Sequence, residues 1–139
     1  MGSPDLSRAI SPPGGSGVAR ATPASASALR AGVSQAFSSD YPCGSNAPLL
    51  GIAAAVTRTS REGRVAAPEE ALSASAALEA YTLGAARAAG VDAVAGSLES
   101  GKRADLLVLS SNPLECPATQ LASIQVLETW IKGVRLNPP

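Results

Sequence analysis

The chain has 139 residues, 11 basic against 11 acidic side chains, no histidine and only 3% aromatic residues. Without histidine its own residues cannot build a Ser-His-Asp triad, a Cys-His pair or a His-rich zinc site, and balanced charge gives no electrostatic handle for nucleic acid. Two cysteines, Cys43 and Cys116, fall short of a four-cysteine zinc site and of a disulfide-dense secreted scaffold. The length allows one domain or a fragment of a larger one. The longest apolar runs, Leu49 to Val56 and Leu106 to Leu109, fall far below the roughly 20 residues that span a bilayer. The N-terminus has no apolar core of signal-peptide type, so the sequence reads as cytoplasmic, with no membrane partner.

In chain order, residues 1–27 read as a disordered tail. Proline, glycine and serine dominate, and only Leu6, Ile10 and Val18 offer sizeable aliphatic side chains. Three such side chains contribute a few kcal/mol, whereas ordering the segment costs about 1–2 kcal/mol per residue. From Ala28 the composition changes. Leu29 to Gly32 reads as a helix end with glycine at the stop, and Val33 to Phe37 as a short strand followed by the turn Ser38-Ser39-Asp40. Tyr41 to Pro48 is a loop, since two prolines, a glycine and an asparagine oppose regular structure.

Leu49 to Thr59 is expected to be a helix with Leu49, Ile52, Ala53 and Val56 on one face. The stretch Ser60 to Ala66 is an exposed connector, and Arg58, Arg61 and Arg64 read as a solvated face rather than an anion site. Ala74 to Ala89 is predicted as one helix, capped by Ser73, with an apolar stripe of Ala74, Leu78, Tyr81, Ala85 and Ala88. Gly84 inside it costs about 1 kcal/mol relative to alanine, which points to close packing. Gly96 to Lys102 reads as a strand edge entering a turn, and Asp105 to Leu109 as a strand covered on both faces. Ile124 to Ile131 is a second strand, turned through Lys132-Gly133 into Val134 to Leu136. Strands this few, with open edges, want a partner.

Several blocks occur in a telling order: Asp40 at a strand-end turn, Pro48 to Ile52, Ala54 to Arg58, Pro68 to Ser73, Ala80 to Ala86, and Gly96 to Leu109. Together they resemble the C-terminal part of the metal-dependent amidohydrolase superfamily, in its family 3 branch, over about residues 28 to 136. The resemblance implies an α/β fold: the C-terminal fragment of a (β/α)8 barrel (residues 28–95, the last strand and following helices) plus part of a small β-sandwich domain (residues 96–139). It implies hydrolysis of non-peptide carbon–nitrogen bonds in small amide-type substrates, by water activated on a divalent metal, zinc in intact relatives. Asp40 matches the carboxylate that ends the last barrel strand, contacts metal and takes the water's proton. Tyr41 and Cys43 fall on the pocket rim.

The other ligands of the family, histidines above all, lie on earlier strands and are absent from this sequence. The chain alone is therefore expected to bind no metal and to be inactive. Without the resemblance, Asp40 reads as a turn residue capping backbone N–H groups. Two further readings stay open: a non-catalytic interaction module presenting Ala74 to Ala89, and a chain that complements a separate N-terminal half.

Overall fold

A computed structural model describes residues 25–60 and 62–136. The tail reading for residues 1–27 lies outside the described residues up to residue 24, and Arg61 lies outside them as well. Helix α1 occupies Ser25–Arg30, α2 Pro48–Thr57, α3 Ala74–Tyr81 and α4 Leu83–Ala88. Strands β1 (Leu106–Leu109), β2 (Val126–Ile131) and β3 (Val134–Leu136) form an antiparallel sheet in the order β1-β2-β3. Short 3-10 turns cover Pro68–Glu70 and Ala118–Ser123. No helix among the described residues is long and apolar enough to cross a membrane.

Helix α2 is the centre of the packing. Pro48 opens it, where a missing N–H costs nothing. Its apolar residues face two ways, as their spacing predicts. Ile52 and Ala55 join Ala26, Leu72 and Ala77 in one buried cluster, edged by Phe37, Leu78 and Tyr81. Ala53 joins Leu121 and Ile124 in a second, edged by Leu109 and Cys116. The helix thus ties the α1–α3 side to the segment leading into the sheet. It ends at Thr57, two residues before the predicted end, because Arg58 takes a left-handed conformation at φ 55°.

Two predicted elements change. Val33 to Phe37 has no regular structure and forms no strand among the described residues. A strand exists only by pairing, and this stretch meets a helix instead: the Phe37 N–H donates to the Ala80 carbonyl at 2.9 Å. The predicted helix from Ala74 to Ala89 breaks at Thr82, whose φ of −114° and ψ of −92° separate α3 from α4. The Thr82 hydroxyl donates back to the Leu78 carbonyl at 2.7 Å, beside the Thr82 N–H, which donates to the same carbonyl at 3.0 Å and closes the last turn of α3. Ser73 caps α3 as expected, accepting the Ala76 N–H at 3.1 Å. The buried residues of this pair are Ala77, Ala80, Gly84 and Ala86, so the inner face is rotated from the predicted stripe toward the smallest side chains.

Gly84 explains that rotation. A Cβ added there would stand 2.2 Å from the Gln35 carbonyl oxygen, so the 33–37 segment lies directly on the helix. Gly51 plays a similar part on α2, where a Cβ would overlap the Tyr81 hydroxyl.

In the sheet, Lys132 (φ 52°) and Gly133 (φ 76°) make the predicted two-residue turn, both left-handed as a type I′ hairpin requires. An Asp105 carboxylate oxygen accepts the Lys132 N–H at 2.8 Å, and this bond holds the Asp105 carboxyl below its ordinary range. The register places Leu107, Thr129 and Leu136 side by side, and Ile131 opposite Val134. With Leu127 these residues form one apolar face, and Leu107, Leu127, Ile131, Val134 and Leu136 are all at least 45% exposed. The opposite face carries Trp130, whose indole N–H donates to Glu128 at 2.8 Å, and the Arg135–Glu128 ion pair at 3.0 Å. The expectation that β1 is covered on both faces is not met by the described residues, since Leu107 and Val108 on its two faces are exposed.

Helix α1 is held by one buried carboxylate. Glu70 accepts the Ser27 N–H at 2.7 Å and the Ser27 hydroxyl, with Arg30 at 3.9 Å. These donors, the Ser27 hydroxyl first, hold the Glu70 carboxyl below its ordinary value near 4.5. A carboxylate at a helix N-terminus satisfies orphan amides and faces the positive end of the dipole. A lowered folded-state value means that the stabilisation is complete above the ordinary value and is lost as pH falls through the lowered one. The protection of the Ala26 and Ser27 amides, measured as exchange relative to the intrinsic rate at each pH, should therefore fall several-fold in acid. Glu70→Gln should bring that loss of protection to neutral pH and flatten the pH dependence of the protection factor. An unchanged exchange profile in the variant would show that α1 is held by other contacts.

Candidate functional site

The turn Ser38-Ser39-Asp40 brings the chain off α3 and into the loop before α2. The Ser38 hydroxyl accepts the Asp40 N–H at 3.2 Å, and the Asp40 carbonyl accepts the Gly44 N–H at 3.1 Å. Asp40 sits at φ 51°, a left-handed position that aspartate tolerates better than most residues. The Tyr41–Pro42 peptide bond is cis. Backbone groups in this turn are thus bonded by Ser38 and by one another. The Asp40 carboxylate has no hydrogen-bond or ion-pair partner among the described residues, and it is exposed. It caps nothing; the hydroxyl of Ser38 does that work.

Beside the turn lies an open cavity of about 660 Å³ between α2 and the Ala118–Ser123 turn. Cys43, Ser45, Thr57, Ser60 and Tyr81 line it, and no charged side chain among the described residues does. Its size falls within the usual range for small-molecule sites. The sequence-derived candidates part company here. Cys43 lines the cavity, Asp40 and Tyr41 do not, and Tyr41 is 69% exposed on the loop. Sequence reasoning placed Tyr81 on a packing stripe only. In the fold its ring meets Phe37 edge-on at 5.6 Å, its hydroxyl reaches over Gly51, and burial pushes that hydroxyl's pKa up. The pairing of Gly51 with an aromatic thirty residues later carries no local sequence signal.

Arg58 also departs from its sequence reading. Far from a solvated face, it is 9% exposed at the C-cap of α2, its Nε donating to the Ala66 carbonyl at 3.1 Å. A metal would need several donors. Among the described residues no three His, Cys, Asp or Glu side chains lie together, and Asp40 offers one oxygen ligand. The donor set of residues 25–136 does not by itself fit a catalytic metal.

Comparison with known proteins places this geometry. The family model for the amidohydrolase family matches residues 7–136. The chain is 43% identical over 108 residues to N-substituted formamide deformylase of Arthrobacter pascens, covering 78% of this chain and 20% of that protein. It is 39% identical over 104 residues to Protein LONG AFTER FAR-RED 3 of Arabidopsis thaliana, covering 74% and 18% respectively. An amidohydrolase from Thermotoga maritima MSB8 superposes with a TM-score of 0.58 at 24% identity, over 80% of this chain and 24% of that one, a likeness of fold alone. The chain spans about a fifth of the length of the curated relatives it matches. The helices and the small antiparallel sheet are an α/β arrangement, and the chain belongs to the amidohydrolase family.

Proposed function

We propose that residues 28–136 are the C-terminal section of a hydrolase that cleaves a non-peptide carbon–nitrogen bond in a small amide-type molecule, completed by polypeptide beyond these 139 residues. In this reading residues 28–95 belong to the end of a barrel and residues 96–139 to part of a small β-sandwich. Asp40 is the proton acceptor for the attacking water. The divalent metal implied by the family, zinc in this reading, is held mainly by residues the chain does not carry.

The observation that carries the reading is Asp40. Within a stretch matched by the family model, its carboxylate is left uncommitted by a turn whose backbone is satisfied by other groups. A base must be free of competing bonds to collect a proton. The apolar face of the sheet supports the second half of the proposal, because five large aliphatic side chains exposed side by side call for cover. The same face serves equally if the complement is a separately encoded chain. The reading as a partner-binding module presenting the 74–89 stripe is disfavoured, since Leu78 and Tyr81 of that stripe already pack against the buried cluster around Ile52 and Ala77.

The test uses two proteins: the 139-residue chain alone, and a chimera in which its matched segment replaces the corresponding segment of the Arthrobacter pascens relative. With an N-substituted formamide and added zinc, the chain alone should give no hydrolysis and the chimera should turn over. Metal-dependent hydrolysis by the chain alone, or a folded chimera without activity, would overturn the proposal.

A further inference from the structure

Residues 33–39 lead into Asp40 without a β-ladder among the described residues, so contacts with helices set their register. Burial alternates along them. Gln35, Phe37 and Ser39 are half-buried, whereas Ser34, Ala36 and Ser38 are exposed, as is Asp40. The Phe37 N–H donates to the Ala80 carbonyl at 2.9 Å, and its ring meets Tyr81.

Gln35 is held at both ends. Its backbone carbonyl lies over Gly84 of α4, where even a methyl group would not fit. Its side-chain amide donates to the carbonyl of Ser25, the first residue of α1. Among the described residues, this is the one side-chain hydrogen bond from residues 33–39 to another element. That end of α1 is itself anchored: Ser25 and Ala26 are buried, and Glu70 holds Ser27 by its N–H and its hydroxyl. Neither neighbour of Gln35 can take its place, because Ser34 and Ala36 are short and lie on the exposed side. A slip of one residue would exchange the two faces and break both attachments.

We propose that Gln35 is the positioning residue for Asp40. By spanning from α1 to α4 it sets how far along the helices the segment lies, and hence where the carboxylate five residues later stands. This rests on the hydrolase reading, in which Asp40 takes the proton of the attacking water. The Gln35 amide touches no reacting atom and acts only through the backbone. A small displacement of a general base is costly, because proton transfer needs hydrogen-bond reach.

The test is Q35M, which fills a similar volume and cannot donate, read in two proteins. In the 139-residue chain, protection of the Phe37 amide, measured against its intrinsic exchange rate, should fall about fivefold. The Leu72 amide, bonded to the Ala55 carbonyl at 3.1 Å, should keep its protection. In the chimera, Q35M should lower kcat about tenfold with KM unchanged. Added to D40N, it should leave the remaining rate within about twofold, because the residue it positions is gone. Q35N, which keeps the amide but draws it back by a methylene, carries both measurements if Q35M does not fold. A chimera that turns over equally well with D40N overturns the hydrolase reading and this assignment together. Where D40N does cost activity, a Q35M chimera that keeps its kcat, or loses it equally in both backgrounds, overturns this assignment alone. Unchanged protection at Phe37 does the same, and so does an equal loss at Phe37 and Leu72, which would make Gln35 a support of the whole fold.

Discussion

Asp40→Asn in the chimera is expected to lower kcat/KM about a thousandfold while leaving the thermal melt within a degree or two of the parent. The first figure is the usual contribution of a positioned general base. The second follows from the turn itself. The backbone is held by the Ser38 hydroxyl and the Gly44 N–H, and the carboxylate makes no bond whose loss would weaken the fold. Asparagine also tolerates the left-handed conformation that position 40 requires. Activity and stability are therefore separable here. A variant that loses both together would mean that Asp40 holds the loop rather than the proton. A variant that keeps its activity would remove it from the chemistry altogether.

Gly84→Ala has the opposite signature. Alanine gains about 1 kcal/mol in helix propensity, but its Cβ would stand 2.2 Å from a backbone carbonyl that no rotamer change can move. Overpacking of this kind costs up to about 3 kcal/mol. The net loss is about 2 kcal/mol, or roughly 7 °C in Tm for a chain of this size. The displaced carbonyl belongs to Gln35, five residues before Asp40 on the same segment. In the chimera the variant should lose kcat beyond what its stability explains, because small misplacements of a reacting group are expensive. A melt equal to or above the parent's would show that the segment shifts freely over α4.

Some of this could be read in the sequence because the signals are local. The Lys132-Gly133 turn, the Ser73 cap and the two-sided apolar spacing of α2 each depend on residues a few positions apart. The glycine inside the 74–89 stretch also announced close packing correctly, although not what packs there. What escaped was set by distant contacts. The break at Thr82 lies in the backbone angles of one residue, and nothing in the periodicity of Ala74 to Ala89 records it. Val33 to Phe37 has the composition of a strand, yet pairing is a property of two segments and this one meets Ala80 instead. Arg58 looked like surface because arginines usually are. Its burial follows from a single left-handed residue that turns the chain back over its own side chain.

The exposed face of the three-stranded sheet bears on how this polypeptide behaves before it meets whatever covers it. β1 and β3 both present unpaired backbone along their outer sides among the described residues, next to a row of leucine, isoleucine and valine. Such a surface is a template on which other copies can add strands, and one arginine and one lysine near β3 are a thin guard against it. Under the proposed reading, newly made chains that wait for their complement would compete between correct closure and self-association. In that reading the timing of synthesis, more than the depth of the folding minimum, would decide how much of the protein reaches a working form.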